Sequence, residues 1–277
     1  MRIAPSPPIP SFHHWIAAAL VAAALAIPTP SHAGGKLEAR YAVTMAGITI
    51  GQASWSLDIA GDQYVSTATG KASGMMSVLV SGEGAVSARG AVRDGQLAPE
   101  RFTASVKHDD EKSDTKMLLD NGAVKELSAE IAKEARDRVP VTAAHRKGII
   151  DPVSALLVPM AGDSLDKEAC ERTLPVFDGR RRYDLKLSFK RMDKVKAERG
   201  YAGPVAVCAV SFTPRAGHRA SSTLVKYLSE GRDIELWLAP VAGARVLMPF
   251  RASFASLLGS LVIEAKQFDG PRQTAAR

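Results

Sequence analysis

Cysteine is scarce: Cys170 and Cys208 are the only two in 277 residues, alongside six histidines and an aromatic share of 6%. So thin a supply leaves no Cys/His cluster at zinc-ligand spacing and no C-x-x-C redox pair. A G-x-S-x-G nucleophile elbow is missing, and Ser81-Gly82-Glu83-Gly84 has neither the spacing nor the following helix of a phosphate loop. Beyond residue 34 no run approaches the ~20 apolar residues of a membrane-spanning helix. Common signatures of metal, thiol, serine-hydrolase and nucleotide chemistry are therefore missing. No cofactor, no metal and no nucleic-acid partner is expected. The net charge of +7 is moderate and suits either an anionic envelope surface or simple solubility.

What is present begins with an export signal. Arg2 is the only Lys, Arg, Asp or Glu in residues 1–33, and residues 15–27 form an apolar run of thirteen. That run is too short to cross a bilayer and fits the hydrophobic core of a secretory leader. Pro28 and Pro30 break it, and Ser31-His32-Ala33 places small residues at the −3 and −1 positions of a cleavage site. Residues 1–33 are therefore expected to be a signal peptide cleaved after Ala33, with the working protein in the periplasm. Residues 34–270 would form a single β-rich domain and 271–277 a disordered tail. His13, His14 and His32 leave with the leader, so only His108, His145 and His218 remain for chemistry. In an oxidising compartment a lone pair of cysteines most economically forms one bridge, and Cys170 and Cys208 are expected to be disulfide-bonded.

From Tyr41 onward, short runs of alternating polarity are divided by Gly, Asp and Pro. Residues 41–50 and 52–59 read as two strands joined near Gly51. In the second, Ala53, Trp55, Leu57 and Ile59 share one face, the mark of a half-buried strand. Further strands are predicted over 64–71, 78–89, 102–108, 115–119 and 123–127, with Asn121-Gly122 a strong hairpin turn. Residues 128–138 are charged and read as a short helix or a loop. Asp151-Pro152 puts a carboxylate at a helix N-cap and a proline at N1. It starts a largely apolar helix of about two turns, which belongs inside the fold. After Asp178-Gly179, a hairpin turn, strands resume over 181–189, 205–212, 224–228, 234–239, 245–253 and 260–268. Turn signals every 8–12 residues or so favour a sandwich, barrel or barrel-like sheet over βαβ units.

Several landmarks occur in combination: Tyr41-Ala42-Val43 followed by Ala46-Gly47-Ile48-Thr49-Ile50-Gly51, Asp151-Pro152-x-Ser154-Ala155-Leu156, and Phe177-Asp178-Gly179-Arg180-Arg181-x-Tyr183-Asp184. Trp237-Leu238-Ala239 with Arg245-Val246-Leu247-Met248-Pro249 closes the set. Across about residues 36–268 this pattern resembles the bacterial domain of unknown function 3108. The resemblance implies an exported envelope protein of all-β, mainly antiparallel class, with a spiralled or partly closed β-barrel-like sheet around a short central helix. It is similar in that respect to periplasmic envelope-integrity proteins of β-spiral fold. That family supplies no agreed catalytic residues.

The densest functional-looking run is Asp178 to Asp184, where Arg180, Arg181, Arg182 and Tyr183 offer a fork for the phosphate or carboxylate of an envelope glycan or lipid. Strand alternation sets Arg180 with Arg182 and Arg181 with Tyr183, which splits the cluster and favours a solvated or ion-paired hairpin. His108-Asp109-Asp110-Glu111 reads as a hairpin loop with at most loose cation affinity. Residues 247–250 and 256–262 form an apolar hairpin that either fills core or lines a groove for an acyl chain or peptide. The expectation is a non-enzymatic periplasmic protein binding an apolar or anionic envelope component (a lipid, a glycan or an envelope protein) and supporting envelope integrity. A hydrolase or other enzyme acting on cell-wall or lipid substrates is the alternative, and it predicts a cleft where carboxylates or a His converge, such as Asp178 or Asp184 near His145. A third reading is a partner-binding module using an exposed sheet edge. N-terminal sequencing of the exported protein is expected to begin Gly34-Gly35-Lys36; a retained Met1 refutes the leader and the compartment inferred from it.

Overall fold

Alternating segments joined by tight turns place sequence neighbours side by side as antiparallel strands, and the computed structural model is built almost entirely this way. It describes residues 34–73, 82–93, 95–108, 111–129, 137–160, 162, 165–230, 233–256 and 259–270. Residues 1–33, where a leader is expected, residues 109–110 and 130–136, and residues 271–277, where a disordered tail is expected, lie outside the described residues. In the first half of the chain the strands are β1 (Gly35–Met45), β2 (Ile48–Ala60), β3 (Gln63–Ala72), β4 (Gly82–Arg93), β5 (Gln96–His108), β6 (Glu111–Asp120) and β7 (Ala123–Ala129). In the second half they are β8 (Val158–Pro159), β9 (Arg172–Phe177), β10 (Arg182–Lys196), β11 (Arg199–Gly200), β12 (Ala202–Ala216), β13 (Ile234–Pro240), β14 (Val246–Ser256) and β15 (Gly259–Asp269). Two short helices accompany them among the described residues, α1 (Pro152–Ala155) and α2 (Thr223–Ser229).

One sheet results, in the order β7-β6-β5-β4-β3-β2-β1-β15-β14-β13-β12-β10-β9, with β11 beside β15 and β8 beside β14. Its ends, β7 and β9, do not pair, so the sheet is barrel-like but open. A single stretch of chain spans the gap between these edges. The Ile149 amide donates to the Gly122 carbonyl in the β6–β7 turn at 2.9 Å, and the Ile150 amide donates to Pro175 of β9 at 2.9 Å. The Phe177 amide returns a bond to the Ile150 carbonyl at 3.0 Å. Gly179, in the β9–β10 turn, approaches β6 so closely that a Cβ there would sit 2.5 Å from Thr115 Cγ2.

Several sequence expectations need correction. The first hairpin turns at Ala46-Gly47, not at Gly51. Both turn residues have positive φ (48° and 83°), as a two-residue hairpin turn demands, while Gly51 lies inside β2 paired with Val43, next to a bulge at Ile50 of the same strand. The apolar helix after Asp151 lasts one turn rather than two. Leu156 caps it, and Val158–Pro159 leave as an extended pair hydrogen-bonded to β14, in keeping with the extended bias of a residue before proline. Residues 224–228 are helical, not a strand: the Ser222 hydroxyl accepts the Val225 amide and caps α2. The Asn121-Gly122 and Asp178-Gly179 turns, the alternation in β2 and the pairing of β5 with β6 fall where the sequence places them.

The interior combines aromatic and aliphatic side chains from both halves, including Leu57, Tyr64, Phe102, Met117, Phe177, Phe250 and Phe268, all at most 2% exposed. Helix α1 packs against β3, β4, β5 and β9. Its cap, Asp151, is fully buried and accepts the amides of Val153 (2.9 Å) and Ser154 (3.0 Å). The Ser154 hydroxyl meets the Tyr64 hydroxyl at 2.7 Å, which ties the seam segment to β3. Desolvation pushes the Asp151 carboxyl up to about 6, against the opposing pull of its hydrogen bonds.

Cys170, at the end of the 3-10 turn Lys167–Cys170, is bonded to Cys208 of β12 with Cα atoms 5.4 Å apart. Both are wholly buried. The bridge closes a loop containing β9 and β10, worth about 4 kcal/mol in the chain-entropy treatment.

Asp151 binds its proton more tightly folded than unfolded. Its stabilising contribution is complete below about pH 4 and is lost as pH rises through about 6. The linked change is about 3 kcal/mol. Asp151→Asn keeps the capping acceptor, so the difference in unfolding free energy between wild type and variant is expected to vary by about that amount between pH 4 and 7. A pH-independent difference contradicts the assignment. Replacing both cysteines by alanine is expected to lower the unfolding free energy by about 4 kcal/mol in denaturant titrations, and an unchanged midpoint contradicts a structural role for the bridge.

Candidate functional site

Cross-strand partners in an antiparallel sheet share a face. Phe189, Cys208, Leu236, Ala252, Ile263 and Val43 form one such row across β10, β12, β13, β14, β15 and β1. Residues two positions along share the same side, which brings in Leu185, Leu187, Val210, Phe212, Ile234 and Phe254. From the other half, Tyr41 pairs with Ala53 and Trp55 with Ala68. Where these surfaces face each other the side chains do not meet. A partly open cavity of about 400 Å³ remains between them, bounded also by Leu156, Leu174 and by Leu228 of α2.

Its wall is almost wholly apolar. The Tyr41 hydroxyl donates to the Pro249 carbonyl at 2.7 Å, and burial pushes its ionisation far up. The Trp55 indole donates to the Ser66 hydroxyl at 2.7 Å. Glu235 and Arg251 are the charged residues of the lining, and both are engaged elsewhere. Arg191 and Lys190 bind the Glu235 carboxylate and hold it below its ordinary range. Arg251 pairs with Glu264 at 3.6 Å and lies 4.8 Å from the centre of the Trp237 ring. Trp237 itself is flanked by Arg191 and donates to Asp193 at 3.2 Å. Period two thus separates a charged, tryptophan-centred face from the apolar face against the cavity.

The size of the void matters energetically. Apolar side chains around a void of about 400 Å³ forgo the packing contacts that a filled core would give them. Trp55, Phe212, Leu228, Phe254 and Ile263 are only half-buried, although their surroundings are apolar. Such a space suits an apolar occupant.

The arginine run is not gathered into one site. Arg180 reaches back to the Ser113 hydroxyl of β6 at 2.6 Å, Arg181 is exposed, and Arg182 pairs with Asp184 and the Tyr183 carbonyl. Tyr183 packs on Phe212 at 5.4 Å, and so adjoins the cavity wall. Asp178 accepts the amides of Arg180 and Arg181. Partial burial tends to raise the Asp184 carboxyl, but Arg182 and Arg215 outweigh it and hold it low. His145 lies on a separate 3-10 turn, hydrogen-bonded to Thr142. Among the described residues no three His, Cys, Asp or Glu side chains stand close enough to hold a metal. Of the two apolar runs expected to fill core or line a groove, 247–250 contributes to both core and cavity wall, and 256–262 supplies no lining residue among the described ones. Leu247, Met248 and Phe250 are core, while Pro249, Ala252, Phe254 and Ile263 line the cavity. Leu174, Val210 and Ala68 carry no sequence signal that marks them as lining; only the register reveals them.

Residues 40–266, most of the chain, match the family described as Protein of unknown function (DUF3108). The chain belongs to that family. No curated protein matches this DUF3108 chain. Among solved structures it is similar to a β-barrel-like protein of domain of unknown function DUF1849 from Brucella abortus, at 10% identity and a TM-score of 0.46, over 86% of this chain and 99% of that one. It is also similar to a candidate lipoprotein from Parabacteroides distasonis, at 7% identity and a TM-score of 0.33, over 86% and 96% of the two chains. No helix among the described residues of the DUF3108 chain is long and apolar enough to cross a membrane.

Proposed function

We propose that this DUF3108 protein is an exported, non-catalytic envelope protein whose curved sheet holds an apolar envelope component and thereby supports envelope integrity. The observation that carries the reading is the partly open apolar cavity of about 400 Å³ lined by both halves of the sheet. The bonded cysteines support an oxidising compartment, and the leader-like residues 1–33 support export to the periplasm. A binding role rather than catalysis is supported by the separate engagement of Asp178, Asp184 and His145 with their own local partners.

The test is extraction of the natively exported protein with organic solvent, followed by mass spectrometry. A co-purifying lipid near one per chain is expected. Leu236→Lys would set an ammonium against the apolar wall and is expected to remove that lipid while leaving an oxidised, folded chain. A lipid-free native protein, or a variant that retains its full lipid load, overturns the reading.

A further inference from the structure

Positive charge concentrates where the β10–β12 hairpin meets the start of α2. A Cβ on Gly217 would sit 1.9 Å from the Arg180 carbonyl oxygen, and Arg138 donates to the Gly217 carbonyl at 2.8 Å. Arg219 forms an isolated backbone bridge with Arg138 and pairs with Asp137 at 3.2 Å. Arg182 and Arg215 share the single carboxylate of Asp184. Asp178, which accepts the Arg180 amide, offsets the charge of that arginine. The other five, Arg138, Arg181, Arg182, Arg215 and Arg219, have as a group only Asp137 and Asp184 as ion-pair partners among the described residues, an excess of three positive charges. All but Arg182 are exposed. They do not converge as a fork on one ligand, but together they attract a surface bearing many negative charges.

Helix α2 grows out of this cluster, for the Ser222 amide donates to the Arg219 carbonyl at 3.1 Å. Leu224 and Leu228 stand four residues apart and so lie on one side of the helix. Leu228 lines the cavity, whereas Leu224, one turn nearer the arginines, is 66% exposed. An apolar row thus runs from the cavity wall to the surface and ends among cations. A soluble polyanion would engage the arginines and leave Leu224 in water. A bilayer with anionic headgroups satisfies both, with the arginines at the phosphates and the leucine at the acyl boundary. We propose that this end of the sheet, through Arg138, Arg181, Arg215, Arg219 and Leu224, docks on an anionic phospholipid bilayer. The docking is independent of what the cavity holds. Only its use, setting the Leu228 wall of the cavity beside the membrane, rests on the apolar-ligand reading above.

The experiment is co-sedimentation of the exported, oxidised protein with phosphatidylethanolamine vesicles, with and without phosphatidylglycerol, at low and high salt. Binding is expected only where phosphatidylglycerol is present and is expected to weaken as salt screens the attraction. Arg181→Gln is expected to lower the partition coefficient about fivefold, and Leu224→Ser about tenfold. Both variants are expected to unfold at the wild-type midpoint, since Arg181 makes its turn bond through the backbone amide and Leu224 is outside the core. Lys196→Gln is the control. It lies on the same strand as Arg182 but roughly 40 Å away, beside exposed Met192, and is expected to bind as wild type. Equal binding to vesicles without phosphatidylglycerol, or a loss in Lys196→Gln as large as that in Arg181→Gln, overturns the assignment. Undiminished binding by Leu224→Ser also overturns it, in favour of a soluble polyanion for which inorganic polyphosphate is the probe. If no vesicle is bound while the native protein carries lipid, the docking face is wrong and the apolar-ligand reading stands. Vesicle binding through Arg181 and Leu224 by a protein that carries no lipid upholds the docking face and sinks the cavity reading.

Discussion

An antiparallel sheet that curls but does not close leaves two edges whose backbone groups need partners, and here one buried stretch of chain answers for both. Ile149 and Ile150 bond to the β6–β7 turn on one side and to β9 on the other. The two edges are short: β7 and β9 have seven and six residues, against fifteen in β10 and β12. Helix α1 follows immediately and carries its apolar side chains Val153 and Ala155 into the interior. The carboxylate of Asp151 starts that helix, and it does so at 0% exposure. Burying it is unfavourable, which is why its ionisation is displaced upward. The two amides it accepts and the Ser154–Tyr64 contact beside it offset part of that cost. Edge protection, helix placement and the pH response all meet at this point.

The bridged but open sheet also explains why an apolar space survives inside it. A sheet closed by continuous pairing with side chains filling its centre has little freedom in diameter. Here the diameter is set by irregular pieces: the seam, bulges in β15, β10 and β14, and the disulfide that fixes the 3-10 turn to β12. Cys208 lies in the same cross-strand row as Leu236 and Ala252, so the covalent staple anchors the wall of the cavity itself. The opposite boundary is unlike it. Helix α2 has no buried residue and contributes Leu228 while leaving Leu224 66% exposed.

Much of the fold was legible because it is local. Asn121-Gly122 and Asp178-Gly179 specify turns by backbone chemistry, β2 advertises its faces by alternation, and Asp151-Pro152 marks a helix start with two independent signals. Errors arose where two local readings compete. Leu224, Val225 and Leu228 suit a strand by composition, and the Ser222 cap decides for helix. Gly51 resembles a turn residue, but Ala46-Gly47 adopts the positive φ pair and leaves Gly51 inside β2 beside its bulge at Ile50. The disulfide was legible from scarcity alone, since two cysteines have one possible pairing within a chain.

The cavity was legible only in part, for a reason that belongs to sheets in general. Leu185 and Leu187 show their common face in the sequence, yet nothing local says which residues confront them. That depends on register through as many as seven further strands, and a one-residue bulge shifts which positions line up across the sheet. The arginine run shows the converse. Four adjacent polar residues look like a site in one dimension, but strand alternation and a tight turn send Arg180 to Ser113, Arg182 to Asp184 and the Tyr183 ring onto Phe212. Density along the chain is thus a poor guide to convergence in a β protein. Residues that line one cavity here, such as Trp55, Leu187 and Ile263, are far apart in sequence because each strand contributes only every second side chain to any one surface.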